Sequence, residues 1–135
     1  MKEKLTALPD FFSDKRDAAS AELAYKRAIE CAKMQREEDA VLASLYLQMA
    51  WINRLRGDEE KEKVNMEQAL AHYVDVYEKS ELEDASKVMY LIGELNRRLK
   101  REKDAIFWFS RVVNDDKSSQ AMRHRARQAW QMLRQ

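Results

Sequence analysis

Residues able to do covalent or metal chemistry are sparse in this sequence. Cys31 is the single cysteine, and His72 and His124 are the only histidines. A nucleophilic thiol is commonly activated by a nearby His or Lys, and Cys31 has neither three or four residues away on its helix. It reads as a buried, inert thiol. The two histidines lie far apart, and neither sits in an HExxH or ExxH pattern that would seat a metal. Two glycines cannot build a phosphate-cradling loop, and carboxylates occur at the density of any solvated helix surface. No catalytic centre, cofactor or metal is expected.

Charge and aromatic residues carry more information. Residues 57–84 hold ten acids against three bases, a balance of −7, and residues 95–135 hold eleven bases against four acids, a balance of +7. Arg97, Arg98, Lys100, Arg101 and Lys103 form the densest basic run, and Arg123, Arg125, Arg127 and Arg134 form a second group. Such cations suit a solvated face near helix C-termini, an acidic partner or nucleic acid. Stacking aromatics do not interleave with the basic run, which argues against single-stranded nucleic acid. The whole chain has a net charge of +1, so no global field selects a polyanion or a membrane.

The elements that position these residues are helices. The 135 residues are 45% hydrophobic and 36% charged, with 2 Gly and 1 Pro. That length predicts one domain, residues 1–135, and so few turn formers exclude a sandwich or barrel. No apolar run reaches spanning length, and Met1 to Pro9 has no signal-peptide core. With one cysteine, this predicts a cytoplasmic protein with no membrane partner.

Six helices are expected. Residues 1–12 read as an irregular lead-in broken by Pro9, with Phe11 and Phe12 as core plugs. A first helix runs from a cap at Ser13 or Asp14 to about Gln35. A second covers Glu38 to Arg56 with Val41, Leu42, Leu45, Tyr46, Met49, Ala50 and Ile52 inward, and Gly57 ends it. Asp58 caps a third that carries Val64, Met66, Ala69, Leu70, Tyr73, Val76 and Tyr77 to about Ser80. The fourth covers about 84–100, the fifth 103–114 and the sixth 118–134. In the last, Met122, Ala126, Ala129 and Leu133 face inward and Arg123, Arg127 and Arg134 outward, as a capping helix over residues 118–135.

A weak internal repeat links them. Ala21/Tyr25/Ala28, Ala69/Tyr73/Val76 and Ala105/Phe109/Val112 share the order Ala-x3-aromatic-x2-small, which places all three residues on one helix face. This is the second-helix half of a tetratricopeptide repeat. Met89, Ile92 and Gly93 supply the first-helix half before Ala105, and Tyr46, Met49 and Ala50 supply it before Ala69. The interval from Ala50 to Gly93 is 43 residues, against ~34 in a regular repeat. The expected fold is all-α: tetratricopeptide-like antiparallel helix pairs in a short right-handed superhelical array. A generic amphipathic bundle is the alternative.

The run Tyr90–Leu99, followed by Ala105–Val113, resembles a bacterial family of unknown function, domain of unknown function 2225, as do Ala50–Arg54 and the turn from Gly57 to Glu62. The likeness extends over residues 11–130. It implies a tetratricopeptide-like half that follows a cysteine-rich, zinc-ribbon-like part, so that this chain would be a fragment of something longer. Asn96 stands where an aromatic is typical and Lys100 where the turn usually has glycine. The resemblance implies a helical interaction domain and no activity.

In such an array the first helix of each pair lines the concave side. Leu47, Trp51 and Arg54 on the second helix, with Tyr90, Glu94, Arg97 and Arg98 on the fourth, are the candidate partner-binding residues. Trp51 reads equally as a plug between helices, and so does Trp108. Aromatic anchors and arginines able to grip carboxylates predict a non-catalytic protein- or peptide-binding module, a scaffold or the regulatory half of a bacterial protein, with an acidic partner. The alternatives are a nucleic-acid-associated domain using the basic C-terminal third, and self-association through the last helix.

Overall fold

The computed structural model describes residues 15–34, 38–79, 82 and 84–134. The lead-in with Phe11 and Phe12 and the cap at Ser13 or Asp14 lie outside the described residues. Those described form six α-helices and no strand: α1 (Lys15–Met34), α2 (Asp39–Leu55), α3 (Glu59–Lys79), α4 (Ser86–Arg98), α5 (Glu102–Asn114) and α6 (Gln120–Leu133). The chain falls into two compact units, residues 1–69 and 70–135, and the division lies within α3.

In the first unit α1 packs against α2. Ala18, Ala21, Tyr25, Ile29 and Ala32 form the buried stripe of α1, spaced three or four residues apart as a helix face requires. A polar network crosses this unit. Asn53, 1% exposed, accepts a hydrogen bond from Asn65 Nδ2 at 2.6 Å and donates to Glu22 Oε2 at 3.4 Å. Arg56 and Lys61 also pair with the Glu22 carboxylate. Burying Asn53 is tolerable because both ends of its amide are engaged.

In the second unit α4 packs on α5, and α5 on α6. Met89, Ala105, Phe109, Val112 and Ala126 are its buried centre. Phe109 lies directly over Gly93: a Cβ there would sit 2.7 Å from Phe109 Cε1 and 2.8 Å from Cδ1. Glycine is needed in α4 because the ring occupies the space of a side chain. Asn96 is buried and donates Nδ2 to the Ile92 carbonyl at 2.9 Å, inside its own helix.

The two units carry the same pattern. Ala43, Tyr46, Met49, Ala50, Ile52 and Asn53 are buried in α2, and Ser86, Met89, Ile92, Gly93, Leu95 and Asn96, each 43 residues on, are buried in α4. Both helices end in the same reverse turn. Gly57 N–H donates to the Arg54 carbonyl and Asp58 N–H to that of Asn53; Lys100 N–H donates to Arg97 and Arg101 N–H to Asn96. The turn needs a left-handed residue, with φ 75° at Gly57 and φ 62° at Lys100. Asp58 caps α3 by accepting from Lys61 N–H at 3.1 Å, as its sequence position predicts. Ser119 does the same for α6, accepting from Met122 N–H at 3.2 Å.

Several side chains depart from the sequence reading. Val41 and Val64 are exposed, at 40% and 56%, and so is Cys31, which was expected inside. Cys31 follows Glu30 on α1 and falls about 100° around the helix from the buried Ala32. Arg123 does not point outward. Its Nη2 donates to the carbonyls of Asp115 and Asp116, each at 2.8 Å, and ties α6 to the loop before it.

Candidate functional site

The strongest candidate is a groove in the second unit, between α4 and α6. Positions 90, 94, 97 and 98 are spaced i, i+4, i+7, i+8 and therefore share one face of α4. Positions 125, 128, 129, 132 and 133 repeat that spacing on α6. Tyr90, Glu94, Arg97 and Arg98 face Arg125, Gln128, Ala129, Met132 and Leu133 across an open pocket of about 640 Å³.

One wall component is apolar. Ala129 and Leu133 are half-buried against the core, while Met132 is 72% exposed. The Tyr90 ring lies 5.6 Å from that of Phe109, so one edge of the groove rests on the core. Burial raises the Tyr90 phenol above its ordinary pKa and Glu94 adds to this; Arg125, Arg97 and Arg98, in that order, oppose it. The phenol is held neutral and can donate.

The polar component is cationic. Among the described residues Glu94 is the one carboxylate lining the groove, and it pairs with Arg97 and, at 3.7 Å, with Arg98 Nε. Arg97 Nε also donates to Glu94 Oε1 at 3.0 Å, and hydrogen bonding to that carboxylate raises the pKa of the guanidinium. Two guanidinium groups thus share one carboxylate, and Arg125 stands on the opposite wall. A planar guanidinium offers more donors than a single carboxylate can accept, so the lining retains capacity for anionic groups.

Of the seven residues singled out from the sequence, the structure brings four together: Tyr90, Glu94, Arg97 and Arg98. Leu47, Trp51 and Arg54 lie in the first unit on one face of α2; Leu47 is half-buried, and Trp51 and Arg54 are exposed. They precede Tyr90, Glu94 and Arg97 by 43 residues each, so they hold the same register on the repeated helix. The α6 side of the groove was missed. Ala129 and Leu133 read as core positions, which they partly are, and Arg125 read only as a member of a basic group.

A second surface feature lies between α5 and the part of α3 from residue 70 on, which belongs to the same unit. The Arg111 guanidinium stands 5.1 Å from the Tyr77 ring, 5.3 Å from Trp108 and 5.5 Å from Phe107, and it donates to the Tyr77 hydroxyl. Tyr77 and Trp108 meet edge to face at 5.1 Å. Trp108 is therefore half-buried packing between Tyr77 and Arg111.

No helix among the described residues is long and apolar enough to cross a membrane. Comparison with curated proteins and with solved structures returns no match. The sequence model of one family, described as an uncharacterized protein conserved in bacteria (DUF2225), matches residues 1–133. The chain belongs to that family.

Proposed function

We propose that this DUF2225 member is a non-catalytic module of the bacterial cytoplasm that binds an acidic protein or peptide segment in the groove between α4 and α6. The observation that carries this reading is the convergence of Arg97, Arg98 and Arg125 from two helices onto a lining with one carboxylate. Apolar contact with Met132, Leu133 and Tyr90 supplies affinity, and the arginines select sign and register. The 43-residue recurrence of the buried set supports a tetratricopeptide-like repeat, in which α2 and α4 are equivalent first helices. Leu47, Trp51 and Arg54 are then the corresponding contact positions of the other unit. A scaffold, or the regulatory half of a longer protein, fits such a surface.

The test is a fluorescence-anisotropy screen of the chain against a library of acidic peptides, repeated with the Arg97→Glu/Arg98→Glu variant. Binding to the parent and a loss of about tenfold or more in the variant are expected, because a charge desolvated at the contact acts on dissociation as well as encounter. Melts of the two proteins should agree within about 0.5 kcal/mol, as for exposed substitutions generally. Equal binding by parent and variant refutes the reading. Tight capture of DNA or RNA with a steep loss in salt would instead assign the basic third to nucleic acid.

A further inference from the structure

The groove carries information about the shape and spacing of its occupant, given the reading above that it takes an acidic segment. Helices α4 and α5 are joined by a tight turn, and α5 and α6 by a short loop, and each pair is packed together. Both pairs run antiparallel, so α4 and α6 run in the same direction. Met89 and Ala126 share the buried centre, their neighbours Tyr90 and Arg125 both line the groove, and Arg125 is foremost among the cations that the Tyr90 phenol feels, so Tyr90 and Arg125 are taken as one end of the groove. Seven residues further along each helix come Arg97 and Met132. At 1.5 Å per residue, the Arg125 end and the Arg97/Arg98 end of the groove lie about 10 Å apart. Ala129 and the stem of Met132 occupy the wall between and beside them.

The lining also distinguishes a helix from an extended strand. An extended peptide presents unpaired N–H and C=O groups along its length, each needing a partner. The walls here are helices whose own backbone is already bonded, and Gln128 is the one side-chain amide among the described residues of the lining. A helical occupant satisfies its backbone internally and brings side chains at the same three- and four-residue spacing as the walls.

We infer that the groove accepts an amphipathic helix of a partner protein carrying two acidic residues seven positions apart, with an apolar residue between them. One acid meets Arg125, the other meets Arg97 and Arg98, and the apolar residue rests on Ala129, Met132 and Tyr90. Two acids seven apart on a helix are separated by the same rise that separates the two cationic ends of the groove.

The experiment uses the full chain and labelled synthetic peptides of one composition. The first is an alanine-rich helix with two Glu seven apart and Leu between them. A second places the same Glu residues four apart, and a third keeps the seven-residue spacing but carries a central Pro that breaks the helix. The first should bind about tenfold more tightly than either comparator, a gap of about 1.4 kcal/mol. Arg125→Glu should abolish that preference, and a peptide with Lys for the Glu nearest position 125 should restore binding to this variant. Equal affinity for all three peptides overturns the helix and its spacing while leaving an acidic-segment site intact. Failure of every acidic peptide to bind overturns both.

Discussion

Replacing Gly93 with alanine should destabilise the second unit, although alanine is the better helix former. An added methyl would lie 2.7, 2.8 and 3.1 Å from three carbons of the Phe109 ring. Phe109 is 0% exposed, as are Ala105 and Val112 of the same helix, so the ring has no free space to retreat into. Overpacking of this kind costs about 1–3 kcal/mol, while the gain in helix propensity from Gly to Ala returns about 1 kcal/mol. The net expectation is a loss of up to about 2 kcal/mol.

The sign should reverse when the ring is removed. Phe109→Ala alone should cost about 3–5 kcal/mol through lost burial and a cavity. With the ring gone, Gly93→Ala keeps only its propensity term and should stabilise by about 1 kcal/mol. The two positions are therefore coupled by about 1–3 kcal/mol in a double-mutant cycle. Urea melts of the four proteins supply the cycle, and amide exchange in α4 and α5 shows that the loss lies in the second unit. A Gly93→Ala protein more stable than the parent would refute the reasoning, as would additive effects in the cycle.

Three further outcomes are expected. Lys100→Gly should raise stability by about 1 kcal/mol, since an L side chain in the left-handed region carries a penalty that glycine lacks; Gly57→Ala, with open space around it, should lower stability by a similar amount in the equivalent turn, both read from thermal melts. Asn53→Ala should cost about 1–3 kcal/mol by stranding the Asn65 amide, and more than Asn96→Ala, whose amide bonds a carbonyl of its own helix; chemical melts of the pair check the order. Arg125→Glu should push the Tyr90 phenol still higher, seen by ultraviolet titration against Tyr90→Phe; because the folded pKa is raised, the Tyr90 contribution to stability is complete below the ordinary phenol value of about 10 and is lost as pH rises through the folded value.

Which features were legible follows from the range of the forces involved. Local signals were readable. Gly57 and Asp58 marked the end of one helix and the cap of the next because cap geometry depends on neighbours in sequence. The buried Ala21 and Tyr25 of α1, Met89 and Ile92 of α4, and Ala105, Phe109 and Val112 of α5 followed from helical spacing alone, whereas Ser86 and Asn96 of the buried α4 face did not. Lys100 was harder: its left-handed conformation is set by the fold of the turn, which matches that at Gly57, and not by its own preference. Val64 was misread because apolar type does not tell which part of a broad stripe meets a partner. Arg123 was misread because the carbonyls it grips belong to the loop between α5 and α6, whose path no helix pattern contains.

The groove shows the same division. Its α4 side was visible as a stripe of mixed aromatic and charged residues beside the core stripe. Its α6 side was not, since Ala129 and Leu133 satisfy a core pattern and line the groove at once. Which stripe of α6 stands level with Tyr90 is decided by α5, which touches both neighbours. Phe109 seats on Gly93 of α4, and Ala126 of α6 joins the same buried centre. The closeness of α4 and α5 therefore sets where α6 can dock, and so the distance between the guanidinium groups. A methyl at position 93 would move the ring, the ring would move α6, and Arg125 would shift against Arg97 and Arg98. The groove is positioned by a contact on the neighbouring face of α4, and its two sides, 27 residues or more apart in sequence, are adjacent in the fold.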